Sequence, residues 1–257
     1  TRRYRESDVA RLRLLRATVG AGHAIREVAR LDDTELERRV RMAPAAAAPA
    51  PPIAPILAAI ESMAAEETER LLGVQMAALG PARFVRQVAS PLLVEIGDRW
   101  HAGRLPIAAE HMASSILRSL LGACLRRTAA ASLAPPVLFT TPPGERHELG
   151  TLMAAVTAVD AGGHPVFLGG DLPVADVAAA VDSIGAAAVA VGVCVREGED
   201  ASAGIEALRA AVPAGVEVWV GGPGSDGLPM PPGTARIADL DELERKVALL
   251  AVRGSPG

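Results

Sequence analysis

From residue 137 onward the chain repeats one pattern that few folds can accommodate. The short apolar runs VLFTT (137–141), PVFLG (165–169), AAVAVGVCV (187–195) and VEVWVGG (216–222) are bounded by glycine and proline. Between them lie HELGTLMAAVTAVDAG, VADVAAAVDSIG and ASAGIEALRAAV, each with helical period, and a weaker run, ARIA (235–238), precedes the helix DLDELERKVALLAV. Strands that alternate with helices predict right-handed crossovers and a parallel sheet covered on both faces. A sheet of that kind binds ligands outside the carboxyl ends of its strands.

Upstream the period is helical. The stretch ILAAIESMAAEETERLLGVQMAAL reads as one or two helices ending at Gly80, and PARFVRQVASPLLVEIGDRWHAG follows with Pro91 as a kink or break. PIAAEHMASSILRSLLGACLRRTAA then starts on Pro106, which suits a first helical turn. With aromatics at only 2% of the residues, abundant alanine and leucine favour tight helix packing. Residues 56–133 therefore read as a helical, four-helix-bundle domain and 134–257 as a Rossmann-like or flavodoxin-like α/β domain. Five prolines in 43-APAAAAPAPPIAP-55 make a semi-extended linker. Ahead of it, residues 1–42 suggest three short helices. Ser7 caps the first, with Val9, Leu12, Leu15 and Val19 at helical spacing; 23-HAIREVARL-31 forms the second; Asp32 or Asp33 caps the third.

Charge divides at the same boundary. Residues 1–42 carry 11 arginines against seven acids, net +4, and the remainder carries 15 basic against 23 acidic residues, net −8. Any nucleic-acid contact is thus expected at the front, although such a surplus also suits a solvated helical surface. No run of eighteen apolar residues occurs and the first residues are charged, so neither a membrane span nor a secretory leader is expected. Cys124 and Cys194 stand far apart in apolar runs, which predicts buried, reduced thiols and a cytoplasmic setting.

Two short motifs concentrate the chemistry. In 142-PPGERHELG-150, His147 follows the first strand and opens a helix, which puts an imidazole at the carboxyl edge of the sheet. Gly169–Gly170, Gly192 and Gly221–Gly222–Pro223–Gly224 mark the other strand ends. Glycines there serve either as turn residues or as the bare backbone of a slot beside the sheet. The loop lacks the glycine spacing of a phosphate-binding turn. In 100-WHAGRLPIAAEH-111, Gly103 ends one helix and Pro106 begins the next, so Trp100 and His101 lie about one turn from the hairpin, as do Glu110 and His111. A cofactor held between bundle and sheet edge accounts for both motifs; otherwise Trp100 packs in the bundle while His101, Glu110 and His111 face solvent.

These residues resemble a known family. E-R-H-E-L-G followed by an α/β unit and Gly221–Gly222 resembles the cobalamin-binding fold, whose signature is D-x-H-x-x-G, a second small-residue patch and a later Gly-Gly. The W-H…E-H run resembles the helical cap of the adenosylcobalamin-dependent light sensors, the CarH/LitR group of MerR-type regulators. RRYRESDVARLRLLR resembles the later half of a MerR-type winged helix-turn-helix, with the groove-reading helix expected outside these residues.

The resemblance implies that His147 is the lower axial ligand to cobalt, displacing the cofactor's own dimethylbenzimidazole. The nucleotide tail would enter the slot lined by Gly150, Gly170, Gly192, Gly221 and Gly222. Glu145 stands where many members have aspartate, and the longer acid does not by itself fix a carboxylate–imidazole hydrogen bond. Trp100 would cover the adenosyl face, Glu110 and His111 would contact the adenosyl group, and His101 would replace it on cobalt after light. Gly192–Val193–Cys194 departs from the serine and leucine common in the second patch. Arg2, Arg3 and Arg5 would hold DNA phosphates. The implied function is a non-enzymatic, light-responsive regulator, a homotetramer in the dark. The alternative is the corrinoid carrier of a methyltransferase or mutase, which would also use His147.

Overall fold

The computed structural model describes residues 11, 15, 28, 30–36, 53–128, 134–194 and 198–253. Thr1–Pro52 and Ile53–Gly257 are two separate units. In the first, Arg11, Leu15, Val28 and residues 33–36 are helical, and Val28 and Leu36 are fully buried. Of the two candidate caps, Asp32 serves: its Oδ1 accepts the Glu35 N–H at 2.8 Å. Asp33 instead pairs with Arg11 at 2.6 Å, and Arg11 also donates to the Leu31 carbonyl at 2.6 Å. Arg2, Arg3, Arg5, Ser7 and positions 43–52 lie outside the described residues.

The second unit opens with helices α1 (Ile53–Glu61) and α2 (Ala65–Leu79). Helix α1 thus begins inside the stretch expected to be linker, because Pro55 falls in its first turn, where no intrahelical N–H is needed. The two helices part at Ser62–Ala64, where Met63 adopts φ +57°. Helix α3 (Pro81–Phe84) continues through a π segment (Val85–Ala89) into α4 (Ser90–His101). Pro91 therefore does not break the helix. It lacks the N–H that an α-helical ladder requires, and just before it the Ser90 N–H reaches back five residues to the Val85 carbonyl.

Helix α4 closes with a Schellman turn. Gly103 sits at φ +67°, its N–H bonds the Trp100 carbonyl at 2.9 Å, and the Arg104 N–H bonds the Arg99 carbonyl at 2.8 Å. Helix α5 (Ile107–Thr128) returns antiparallel and buries Ala109, Ala113, Leu117, Leu121 and Leu125, one residue every four.

The α/β half follows as β1 (Pro136–Thr140), α6 (Leu149–Asp160), β2 (His164–Gly169), α7 (Val174–Ile184), β3 (Ala188–Gly192), α8 (Gly198–Ala211), β4 (Glu217–Gly221), a 3₁₀ turn (Pro223–Ser225), β5 (Thr234–Ile237) and α9 (Leu240–Arg253). The strands pair in parallel in the order β2-β1-β3-β4-β5. Alternate residues enter two cores. Val137, Phe139, Ala190 and Trp219 pack with α6, α9 and the helices α1 to α5, whereas Leu138, Val189, Val191 and Val220 pack with α7 and α8. The helical and α/β halves thus share one continuous core through α6.

Strand β3 ends at Gly192, short of the expected 195, and the chain leaves the sheet there. Cys194 is consequently exposed, contrary to the expectation of a buried thiol, and Cys124 is half-buried; neither forms a disulfide. Among the described residues no helix is long and apolar enough to cross a membrane.

Candidate functional site

The strand order reverses direction between β1 and β3, the switch point at which a sheet of this kind leaves a crevice between the loops after its strands. His147 stands in the loop after β1. Its Nδ1 meets Glu145 Oε1 at 2.6 Å, and its backbone N–H donates to the same oxygen at 2.8 Å. The other carboxylate oxygen, Oε2, accepts the Cys194 N–H at 3.0 Å, from just beyond β3. Glu145 therefore bridges the crevice and orients the imidazole at once. Its longer side chain makes the direct bond that its length alone left undecided.

The Glu145 side chain is 8% exposed and that of His147 is 65% exposed. A buried carboxylate needs such partners, and here they are an imidazole and two backbone amides. With Nδ1 engaged, Nε2 is the ring nitrogen left for a ligand, the arrangement of an imidazole steadied by a carboxylate behind it. No group of three or more His, Cys, Asp or Glu capable of holding a metal ion occurs among the described residues. One oriented imidazole suits a metal whose equatorial ligands come from a macrocycle, so these residues fit a corrinoid cobalt.

The surrounding loop is fixed from several sides. Thr141 donates its hydroxyl to the Glu145 carbonyl and accepts the Asp171 N–H at 2.9 Å, while Gly144 donates to Asp171 Oδ1 at 2.7 Å. Glu148 accepts the Gly170 N–H at 3.0 Å on Oε2 and the Arg118 Nε–H at 2.7 Å on Oε1. No local pattern pointed to Arg118 or Glu148, whose contacts span three distant segments.

The glycines divide. A Cβ on Gly192 would lie 2.0 Å from Thr151 Oγ1 of α6, and one on Gly222, at φ +96°, would lie 2.4 Å from the Val193 carbonyl oxygen. Gly170 and Gly221 are close against Thr141 and Ile237. Close approach within the protein accounts for each of these four without a ligand. Gly150 meets nothing within 4 Å and leaves open space beside the first turn of α6.

On α4, the rings of Trp100 and His101 meet edge to face at 4.6 Å. Trp100 is 42% exposed, so it is not absorbed into the bundle. The His101 Nδ1 lies 2.7 Å from the Gly97 carbonyl, a contact that needs a proton on Nδ1 and in the neutral ring places the lone pair on Nε2. Arg99, just before Trp100, bonds Glu95 at 2.7 Å and also pairs with Glu61 of α1, tying this helix end to its neighbour. On α5, Glu110 takes the Ser114 hydroxyl at 2.7 Å and pairs with His111 Nδ1 at 2.8 Å. Ile107, one turn before them and 56% exposed, adds an apolar side chain to this end of the hairpin that sequence reading missed.

Residues 53–125 match the family described as B12 binding domain. The HTH-type transcriptional repressor CarH of Myxococcus xanthus is 33% identical over 233 residues, spanning 86% of this chain and 76% of that repressor. The chain belongs to the CarH-like, B12-dependent transcriptional regulators. This is a family of regulators and not of enzymes. The HTH-type transcriptional repressor CarA of the same organism is 29% identical over 168 residues, 65% of this chain and 56% of that one. The monomethylamine corrinoid protein of Methanosarcina barkeri shares the fold, with a TM-score of 0.57 at 16% identity over 76% of this chain and 95% of that one. The CarH-like chain accordingly has an α plus α/β cobalamin-binding architecture, its layers as expected from the strand and helix pattern and its cofactor class as implied by the resemblance.

Proposed function

We propose that this CarH-like chain is a light-responsive repressor that holds adenosylcobalamin between its helical cap, residues 56–133, and the carboxyl edge of the α/β domain, residues 134–257. The observation that carries the reading is the buried Glu145 bound to Nδ1 of an exposed His147 at the β1/β3 crevice. Adenosylcobalamin, when bound, supplies a cobalt–carbon bond that light breaks. His147 offers Nε2 as the lower ligand, Trp100 and Ile107 present apolar surface toward an adenosyl group, and Glu110 and His111 offer polar contacts. His101, whose Nδ1 is engaged by the Gly97 carbonyl, would hold the cobalt through Nε2 of its neutral ring in the lit form.

The adenosyl group gives the dark and lit states different affinities for self-association, and a cytoplasmic dark homotetramer would bind DNA multivalently. The DNA contact is assigned to residues 1–42, with Arg2, Arg3 and Arg5 on phosphates and a linker of residues 43–52 ahead of α1.

Absorption spectra with adenosylcobalamin before and after green light, paired with light scattering, test this. The parent should bind in the dark, give a stable photoproduct and change size. His147→Ala should lose most uptake, and His101→Ala should bind in the dark but give no stable lit form. Dark binding without a photoproduct would favour a corrinoid carrier, whose fold this chain shares. Unchanged uptake by His147→Ala would overturn the reading.

A further inference from the structure

The helical half is tied to the α/β half by two arginine clasps of different kinds. Arg86, in the π segment, reaches Asp241 at 2.9 Å and Glu244 at 3.0 Å, both on helix α9. Those acids lie on a regular helix, remote in sequence from the crevice. The second clasp joins Arg118 of α5 to Glu148 at 2.7 Å. Glu148 is the chain neighbour of His147, and its other oxygen holds the Gly170 N–H at the end of β2 at 3.0 Å. A single carboxylate thus joins the cap helix, the His147 loop and the loop after β2. From the other side, Glu145 fixes the same loop to the backbone beyond β3. His147 is suspended between these two acids, and the cap grips one of them.

We propose that Arg118 and Glu148 are a positioning pair, a latch that couples the seating of the cap helix to the loop carrying His147. Lifting α5 withdraws the guanidinium, frees the Glu148 carboxylate to turn from Gly170, and loosens the backbone beside His147. The Arg86 clasp anchors the cap without touching that loop. The Arg118 side chain is 51% exposed, so the effect is graded rather than all or none. The inference rests on the cobalamin reading only for its consequence on cofactor release.

Hydrogen exchange at the Gly170 amide in the cofactor-free full chain tests the latch directly. Arg118→Ala should speed it about two- to five-fold, toward the value in Glu148→Ala, and Arg118→Lys should restore much of the protection. Arg86→Ala should leave Gly170 exchange unchanged even where it lowers thermal stability. Release of hydroxocobalamin should rise by a similar factor in Arg118→Ala. High salt should accelerate release from the parent more than from the variant, a difference that general loosening would not produce. Equal Gly170 exchange in parent and Arg118→Ala, or equal acceleration by Arg86→Ala, overturns the latch. Failure of the parent to take up hydroxocobalamin would instead overturn the cobalamin reading, and the exchange result would still decide the latch.

Discussion

Glu145 engages a side chain with one carboxylate oxygen and the backbone across the crevice with the other, which is how a nearly buried acid finds polar partners beside His147. His147 was legible in the sequence because a histidine between a strand and a helix has one place to go. The Glu145–Cys194 bond was not, since it joins positions 49 residues apart that only folding brings together. Burial first, and then the Glu145 charge, push the Cys194 thiol above its ordinary value, although the residue as a whole is exposed. The thiolate is the nucleophile, so Cys194 should alkylate more slowly than a free cysteine at mildly alkaline pH, as measured by mass spectrometry of the cofactor-free chain. Glu145→Gln should accelerate the reaction; no change would remove the electrostatic part of the argument. The stability consequence has a definite sign. Between the unfolded and the raised folded value, the folded chain keeps a proton that the unfolded chain has released. Stability therefore falls as pH rises through that window, and this slope should disappear in Cys194→Ser.

Elements were read from period, and their ends from glycine and proline. The strands appear where apolar runs stand between turn residues, within a residue or two except for β3. There the apolar run VCV continues beyond the sheet because Gly192 ends the pairing with β4. Pro91 illustrates a different limit. Sequence marks the missing N–H, but whether the helix breaks or widens depends on the flanking core residues, and Val85, Val88 and Leu92 hold it in line. Gly192 shows why a strand-end glycine does not by itself signal a ligand slot. A methyl group there would fall 2.0 Å from Thr151 Oγ1, so Gly192→Ala should destabilise the chain by about 1–3 kcal/mol in denaturant unfolding. Thr151→Ala combined with it should recover most of that loss, because the clash is with the hydroxyl. Equal instability of the double and single variants would place the strain elsewhere.

At the scale of the molecule, the cap helices and the sheet share a core through α6, so residues 53–257 should unfold as one cooperative unit. Leu117→Ala on α5, fully buried in the parent, should cost about 2–5 kcal/mol. Far-UV circular dichroism and fluorescence of the buried Trp219, read in a Trp100→Phe background, should report the same shifted midpoint. Two separated transitions would mean that the halves fold independently. The sequence alone determined the parallel α/β class, the helical half, the hairpin at Gly103 and the imidazole at the sheet edge, because each rests on local period or a single turn. Tertiary structure decided which acid orients that imidazole, which glycines are occupied by protein and which arginines clasp the two halves. Each of those depends on groups far apart in the chain, whose meeting no local pattern encodes.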